Sequence, residues 1–310
     1  MAYTLANIEA LKNDPVSALV IKAMSQDNAI MQRIPWVHTV DRVYTYAEDG
    51  SAPNVGFRGI NRGYQKSTGD YKQETINLRI MGADAEIDQF LLDTQAGSVE
   101  ELRAGAIRKA STQLGLLFNE AFINGDSAAN ANDPSFDGIA KLVKAESVVE
   151  AGENGLEVNT DATREDFLDK LTELTNATDG KPDMLLMNRQ VLAAIKSSAR
   201  RLNVLGEGVD DFGRTVDTFD GVALIDAGNG PSGAQIIGNA EVQGTADDAS
   251  SIYAVKFGPD AVHAVGTGAY FNVRHLGESV EMPQQVTRVD GYAAVVAKGN
   301  NVAVLKGVIA

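Results

Sequence analysis

The chain has 310 residues, of which 44% are hydrophobic, and a formal net charge of −15. This length suffices for one large or two modest domains with a sizeable core. The absence of cysteine excludes disulfides, thiol catalysis and cysteine-ligated metals. The acidic balance argues against a sequence-specific nucleic-acid reader. Neither a long apolar run nor a basic–apolar leader occurs, so we expect no membrane span and no secretory signal.

The charge is distributed unevenly. Residues 1–36 are balanced, and residues 37–82 carry six basic and five acidic side chains. Residues 83–160 carry five basic and fourteen acidic side chains. Solubility alone explains such a balance in most proteins. A near-neutral segment with clustered arginines beside an acidic body is also compatible with contact between copies.

The N-terminal third predicts interrupted helices followed by a ribbon. Residues 5–32 show short helical apolar patterns that end at Pro35-Trp36. His38–Tyr46 and Gln73–Met81 have the β-branched and aromatic content of strands, and the glycine-rich stretch 50–69 separates them. A two-stranded ribbon is barely stable alone, so we expect another surface to hold it.

A long amphipathic helix is predicted from Ser98 to Asn124. Ser98 and Glu101 fit a capping box, and at 1.5 Å per residue the helix would be about 40 Å long. A helix of this length with one apolar stripe needs an extended surface to pack against. Its predicted apolar stripe comprises Leu102, Ala106, Ala110, Leu114, Leu117, Phe118, Ala121 and Phe122.

The remainder predicts an α/β layer followed by a β-rich end. Thr160 or Asp161 can cap a helix, Met184–Met187 reads as a buried strand, and Asn188 can cap the next helix. Another strand is predicted at Val222–Ile225. Further strands are predicted near 234–238, 252–257, 261–265, 270–276, 284–297 and 302–309.

The chemical motifs are weak. Gly228–Gly233 matches G-x-G-x-x-G, but a strand pattern follows it and Pro231 removes an amide, so a turn is favoured over a dinucleotide site. The three histidines are far apart in sequence, which disfavours a local metal pair. They are His38, His263 and His275. Five residues with side-chain oxygens could be taken for calcium ligands, but their spacing does not fit that of a calcium-binding loop. They are Asp126, Asn130, Asn132, Asp133 and Asp137.

One acidic loop leaves two alternatives open. Asp210, Asp211, Asp217 and Asp220 surround Phe212-Gly213-Arg214. Paired carboxylates could perform acid–base chemistry, but a glycine-rich loop favours a solvated or subunit-contacting role. We therefore expect no enzyme activity, no catalytic residue, no cofactor and no metal.

The order of these parts resembles the major capsid proteins of tailed double-stranded DNA phages, which have the Hong Kong 97-type fold. Several local motifs contribute to the resemblance, which covers nearly the whole chain. They are Asn119–Asp126, Phe136–Ile139, Met184–Asn188, Gly221–Ile225 and Arg288–Ala293.

The resemblance implies an α+β fold with a defined division of the chain. The segments are an N-terminal arm (1–36), an extended loop or E-loop (37–82), a peripheral domain with a spine helix (83–146), an axial domain (147–265), a peripheral β-hairpin (266–297) and a returning C-terminal strand (298–310).

The resemblance also implies a function and partners. The chain would form hexamers and pentamers of an icosahedral virion shell, assembled in the host cytoplasm and enclosing double-stranded DNA without reading its sequence. Scaffolding, portal and decoration proteins are further implied partners, with the scaffold a separate protein or absent.

Specific subunit contacts follow from the same resemblance. Arg58, Arg62, Lys66 and Lys72 would lie on an E-loop over a neighbour's acidic peripheral domain. Asp210, Asp211 and Arg214 would form contacts in an axial loop. Some relatives cross-link a lysine to an asparagine. Because no asparagine lies between Asn272 and Asn300, we do not expect that reaction here.

Two alternatives remain. Encapsulin nanocompartments share the fold and enclose an enzyme, although the best-known kind lacks so long an N-terminal arm. A soluble α/β hydrolase using the Asp210–Asp220 loop would instead form a small oligomer with a competent cleft.

Overall fold

The computed structural model describes residue 4 and residues 15–25, 28–64, 68–94, 99–132, 134–202, 205–209 and 215–310. The helices in these ranges are α1 (Pro15–Ser25), α2 (Ala29–Arg33), α3 (Gln89–Thr94), α4 (Val99–Asn124), α5 (Ile139–Leu142), α6 (Arg164–Asn176) and α7 (Arg189–Arg201).

The strands begin in the N-terminal third and dominate the C-terminal third. They are β1 (Trp36–Thr39), β2 (Val43–Asp49), β3 (Tyr71–Asn77), β4 (Arg79–Asp88), β5 (Val148–Glu150), β6 (Leu156–Glu157), β7 (Met184–Met187), β8 (Leu205–Val209), β9 (Thr215–Phe219), β10 (Val222–Asp226), β11 (Glu241–Gln243), β12 (Ala246–Val255), β13 (Val262–Glu278), β14 (Gln284–Ala297) and β15 (Val302–Ile309).

A four-stranded sheet has the order β1-β13-β14-β4. β13 and β14 form a long antiparallel hairpin, and β4 pairs with β14 over ten residues, from Arg79 to Asp88. Alternate residues of β4 are exposed, while Met81 and Ala85 on its other face are buried. Helix α4 covers this buried face.

A nine-stranded mixed sheet forms the second body of the fold, in the order β5-β15-β12-β7-β10-β9-β8, with β6 also paired to β15 and β11 to β12. Helices α6 and α7 pack on it through buried side chains such as Phe167 and Ile195. The Asn188 carboxamide oxygen accepts the Val191 N–H at 2.8 Å, so the predicted cap of α7 is confirmed.

The predicted long helix is confirmed: α4 has 26 residues and is about 39 Å long. The Ser98 cap lies outside the described residues. The predicted stripe was wrong at Leu117, which is 40% exposed. The buried face instead includes Ser111, Gly115 and Asn119, because small and polar side chains permit a close approach that hydrophobicity alone does not predict.

Two glycines, Gly125 and Gly138, determine the path of the chain at the end of α4. The Gly138 N–H donates to the Gly125 carbonyl oxygen at 2.8 Å, which closes the polar loop between them. A Cβ atom on Gly138 would lie 2.6 Å from the Ile123 carbonyl oxygen. Gly125 and Gly138 belong to the motifs that contribute to the family resemblance, and their contacts fix the direction in which the chain leaves α4.

Both predicted ribbon strands are divided in the structure. Residues 40–42 separate β1 from β2, and Leu78 separates β3 from β4. The prediction of two continuous strands was wrong because β1 and β4 pair into the four-stranded sheet, while β2 and β3 pair only with each other. The alternation of apolar and polar residues along a strand does not indicate which other strand pairs with it.

Two C-terminal predictions also need correction. Residues 234–238 form only a bridge at Gln235, because the segment turns back on itself through an Ile236 N–H bond to the Gly228 carbonyl oxygen. The strands predicted at 261–265 and 270–276 are one strand, β13, with a bulge between Gly266 and Phe271. The strands at 284–297 and 302–309 are confirmed.

Two glycines of α4 provide a matched test of packing. A Cβ atom at Gly115 would lie 2.8 Å from the Met24 carbonyl oxygen of α1, whereas nothing lies within 4 Å at Gly105. Gly115→Ala should therefore lower the free energy of unfolding by about 1–3 kcal/mol. Gly105→Ala should raise it by about 0.5–1 kcal/mol, since alanine is the better helix former. Denaturant titration of both variants measures this, and equal effects would contradict the close α1–α4 packing.

Candidate assembly surfaces

The strands β2 and β3 form a two-stranded ribbon that pairs with no other strand. Seven residue pairs join the strands, from Val43↔Asn77 to Asp49↔Tyr71, and seven residues of strand span about 23 Å. At the foot of the ribbon the Leu78 N–H donates to the Arg42 carbonyl oxygen at 3.0 Å. We call the described residues at the far end, 50–64 and 68–70, the tip.

The ribbon is attached to the body along one side. The Tyr44 ring meets the His263 ring edge-on, with centroids 6.1 Å apart. Glu48 accepts a hydrogen bond from the Lys144 ammonium at 2.5 Å and one from the Gly299 N–H at 3.3 Å. The bond from Lys144 is the main reason that the pKa of Glu48 lies below its usual value.

The tip combines positive charge with exposed apolar side chains. Val55 is 93% exposed and Phe57 is fully exposed. The Arg58 guanidinium lies 5.4 Å from the centroid of the Tyr64 ring and donates to the Arg62 carbonyl oxygen at 3.3 Å. The predicted contact residues Arg58 and Arg62 thus share one surface with apolar groups. Sequence analysis missed those groups, although valine and phenylalanine in a polar glycine-rich loop were a visible signal.

The other two predicted E-loop cations differ from the arginines. Lys66 lies outside the described residues. Lys72 is on β3 and forms an ion pair with Glu74 of the same strand. The hydrogen bond to Glu74 raises the pKa of Lys72, so part of its charge is already matched within the ribbon.

The predicted axial-loop residues Asp210, Asp211 and Arg214 lie outside the described residues. The strands on either side, β8 and β9, form an antiparallel pair at the edge of the nine-stranded sheet. Two carboxylates near this loop have lysine partners: Asp217 lies 2.6 Å from Lys196, and Asp220 lies 4.0 Å from Lys181.

An acidic surface lies on the exposed face of β4, which presents Asp84, Glu86 and Asp88. Arg288 of β14 forms two hydrogen bonds of 2.7 Å to Asp84, and they hold the pKa of that carboxyl below its usual value. The charge of Asp84 is therefore matched, while Glu86 and Asp88 leave this face acidic.

Exposed apolar side chains lie at the end of the four-stranded sheet. Phe90 of α3 and Val280 and Met282 between β13 and β14 are all exposed. The Gln89 N–H donates to the Pro283 carbonyl oxygen at 2.8 Å, so the start of α3 is fixed beside the hairpin turn. A large exposed apolar surface beside acidic groups is typical of a contact with another protein.

The arrangement of polar residues does not favour the metal and dinucleotide alternatives. Within the described ranges, no group of three or more potential ligands is placed to hold a metal ion. Lys141 instead lies between Asp126 and Asp137, at 2.5 and 2.8 Å. The Gly228–Gly233 segment is followed by a bridge and turns rather than a helix. No described helix is both long and apolar enough to cross a membrane.

No protein-family model and no curated protein matches the chain. Solved structures do match it. The holo-SrpI encapsulin complex from Synechococcus elongatus aligns with a TM-score of 0.66 at 16% identity, covering 90% of this chain and 87% of that one. The capsid of a native GTA particle aligns with a TM-score of 0.60 at 17% identity, covering 91% and 90%. A chain from Mycobacterium phage Adephagia aligns with a TM-score of 0.59 at 13% identity, covering 97% and 96%.

These similarities extend over nearly the whole chain, whereas the sequences have diverged to 13–17% identity. Together with the ribbon, the long helix and the two sheets, they show that the chain has the α+β Hong Kong 97-type fold found in capsid and encapsulin shells.

His263 makes the foot of the ribbon sensitive to pH. The residue is fully buried on β13 against Tyr44 of the ribbon. Burial, assisted by the positive charge of Lys298, lowers the pKa of His263 to about 4, while Asp260 acts in the opposite direction. The unfolded chain therefore binds a proton between pH 6.5 and pH 4 that the folded chain excludes.

Acidification should consequently destabilise the subunit. Between pH 7.5 and pH 5 the His263 contribution should reduce the free energy of unfolding by about 2 kcal/mol. His263→Phe keeps a ring against Tyr44 and should remove this part of the pH dependence. His275→Gln, which alters an exposed histidine of the same strand, should leave it unchanged. Denaturation at the two pH values tests this, and parallel losses in wild type and His263→Phe would contradict it.

Proposed function

We propose that this chain is the major capsid protein of a tailed double-stranded DNA phage or a related particle. The observation that carries the proposal is a ribbon about 23 Å long whose tip exposes Val55 and Phe57 to water on a shell-type fold. Leaving such apolar groups exposed is unfavourable, and contact with other copies would bury them. Copies joined in this way would form hexamers and pentamers of a closed shell.

The division of the chain implied by the resemblance is part of the proposal. Residues 1–36 act as the N-terminal arm, 37–82 as the E-loop, and 83–146 with 266–297 as the peripheral domain. Residues 147–265 and 298–310 form the axial domain around the hexamer and pentamer centres. The pairing of β14 with both β13 and β4, and of β15 with β12, supports this division.

Charge orients the proposed contact between neighbours. Arg58 and Arg62, together with Lys66 and Lys72, lie over the acidic peripheral domain of the next copy. Its β4 supplies Glu86 and Asp88 as candidate partners. Asp210, Asp211 and Arg214 meet neighbouring copies through the axial loop. Opposite charges at such a rim direct the orientation and rate of association more than its final strength.

An acidic chain also suits a container for DNA. The net charge of −15 repels the phosphate backbone of DNA. Packaged DNA would therefore not adhere to the inner wall of the shell. We place the protein in the virion capsid, assembled in the host cytoplasm. Scaffolding, portal and decoration proteins are its proposed further partners.

The second candidate is an encapsulin-type compartment that encloses an enzyme. The similarity to the SrpI encapsulin complex favours it specifically. The α/β hydrolase has no comparable support, because the described carboxylates Asp217 and Asp220 are paired with lysines.

Particle size and content test the two candidates. Particles should be purified from cells in which the chain is naturally made, treated with nuclease, and imaged by electron microscopy. A phage-type capsid predicts closed shells with nuclease-protected double-stranded DNA. Closed shells that contain a folded enzyme and no DNA would establish the encapsulin alternative. A small soluble oligomer would contradict both.

Charge reversal at the tip tests the neighbour contact. Arg58→Glu with Arg62→Glu should leave the subunit folded and soluble, since both side chains lie outside the core. The double variant should fail to form shells because glutamates would face an acidic neighbour. Arg58→Lys with Arg62→Lys is the matched control and should retain assembly. Sedimentation of both proteins is the measurement, and normal shells from the glutamate variant would refute the contact.

A further inference from the structure

The chain contains three asparagine residues that are followed directly by glycine: Asn124, Asn154 and Asn229. Such pairs are prone to deamidation, because glycine has no Cβ atom to shield its nitrogen from the asparagine side chain. The reaction also needs a glycine N–H and a side-chain amide that are not held by strong hydrogen bonds. The sequence does not distinguish the three pairs on this point, but the structure does.

The first pair is fixed at the end of α4. The side-chain Nδ2 of Asn124 donates to the Ile236 carbonyl oxygen at 2.6 Å. The Gly125 N–H donates to the Ala121 carbonyl oxygen at 2.9 Å, which continues the helical pattern. Both bonds must break before the Gly125 nitrogen reaches the side-chain carbon of Asn124. The need to break even one such bond slows a reaction by about tenfold.

The third pair is fixed in the turn that follows β10. Asn229 forms a β-bridge with Gln235. The Gly230 N–H donates to the Ala234 carbonyl oxygen at 2.8 Å, and Gly230 is buried. A Cβ atom on Gly230 would lie 2.9 Å from the Glu120 carboxylate, whose negative charge opposes loss of the amide proton. This glycine nitrogen is therefore a poor nucleophile.

The second pair lies in the exposed loop between β5 and β6 and differs on each point. The Gly155 N–H has only a 3.4 Å contact with the Gly152 carbonyl oxygen, longer than an ordinary hydrogen bond. The Nδ2 of Asn154 donates to no described residue. Its Oδ1 accepts the Thr245 N–H at 3.1 Å, which draws electrons from the side-chain carbon. The leaving amide is thus free while the carbon to be attacked is activated.

We propose that Asn154 is a site of spontaneous modification, at which a succinimide forms and is hydrolysed to aspartate and isoaspartate. The Gly155 nitrogen bonds to Cγ of Asn154, the Cγ–Nδ2 bond breaks, and the glycine proton leaves with the amide as ammonia. The Thr245 N–H stabilises the negative charge that develops on Oδ1. Water then opens the ring. Cleavage between nitrogen and Cγ gives aspartate, and cleavage between nitrogen and the main-chain carbonyl carbon gives isoaspartate.

Isoaspartate would disturb the edge of the nine-stranded sheet, because it lengthens the main chain by one atom. Gly155 has a φ of +80°, and a Cβ atom there would lie 2.7 Å from the Ile309 side chain of β15. The strands on both sides of the loop, β5 and β6, also pair with β15. A longer loop must therefore move β6 away from β15. Aspartate keeps the original chain length and an oxygen for the Thr245 N–H.

Peptide mapping of the full-length chain tests the site. The folded protein should be incubated at mildly alkaline pH, and isoaspartate quantified with an isoaspartyl methyltransferase and located by mass spectrometry. Modification at Asn154 should exceed that at Asn124 and at Asn229 by about tenfold. The same chain unfolded in urea should lose this selectivity, because all three pairs are then free. Equal modification of the three pairs in the folded chain would overturn the assignment.

Two variants separate the reaction from its consequence. Asn154→Gln keeps a side-chain amide but requires a larger ring, so isoaspartate at this position should disappear. Freshly purified Asn154→Asp carries the charge of the product without the longer chain, and it should unfold at the same denaturant concentration as fresh wild type. Aged wild type should unfold at a lower concentration, in proportion to its isoaspartate content.

Two results would contradict the proposal. Aspartate without isoaspartate at residue 154 would show direct hydrolysis by water and overturn the succinimide. Isoaspartate with an unchanged unfolding midpoint would overturn the effect on β6. The inference concerns a single chain, so neither result bears on the proposed shell function.

Discussion

The structure depends on the packing of aromatic rings around Trp36. The Trp36 ring lies 5.5 Å from that of Phe118 on α4 and 5.3 and 5.8 Å from those of Tyr270 and Phe271 on β13. Phe122, one turn further along α4, reaches Phe257 beside the nine-stranded sheet at 6.4 Å. These contacts join the N-terminal helices, the long helix and both sheets into one core. Large buried rings contribute more than any other side chains to such a junction.

The position of this aromatic core also explains why the body and the ribbon differ in how they are stabilised. The ribbon departs a few residues after Trp36, from a part of the chain whose position the aromatic core has fixed. The body has a large buried apolar core, whereas the tip leaves Val55 and Phe57 in water. A two-stranded ribbon gains little stability from its own pairing. Its shape is therefore set within one chain, and we propose that contacts with neighbouring copies complete its stabilisation.

The sequence predicted individual helices and strands better than it predicted which of them pack or pair with each other. The period of apolar residues located α4, and the Asn188 cap located α7, because both signals are local. The buried face of α4 was partly missed, since Gly115 is buried through the approach of Met24 from a distant helix. The division of the ribbon strands was also missed, because pairing of β4 with β14 joins residues about two hundred positions apart. For the candidate surfaces, the charge pattern led to the prediction of Arg58 and Arg62 as contact residues, which stays a prediction, whereas the exposure of Val55 and Phe57 beside them became evident only in the structure.

Amide hydrogen exchange of the tip tests the central claim most directly. Exchange at residues 51–64 should be compared by mass spectrometry between the soluble subunit and the assembled particle. If neighbouring copies complete the ribbon, these amides should exchange rapidly in the subunit and become strongly protected in the particle, while α4 changes little. Rapid exchange of the same amides in both states would show that the tip stays in water after assembly and would contradict the account.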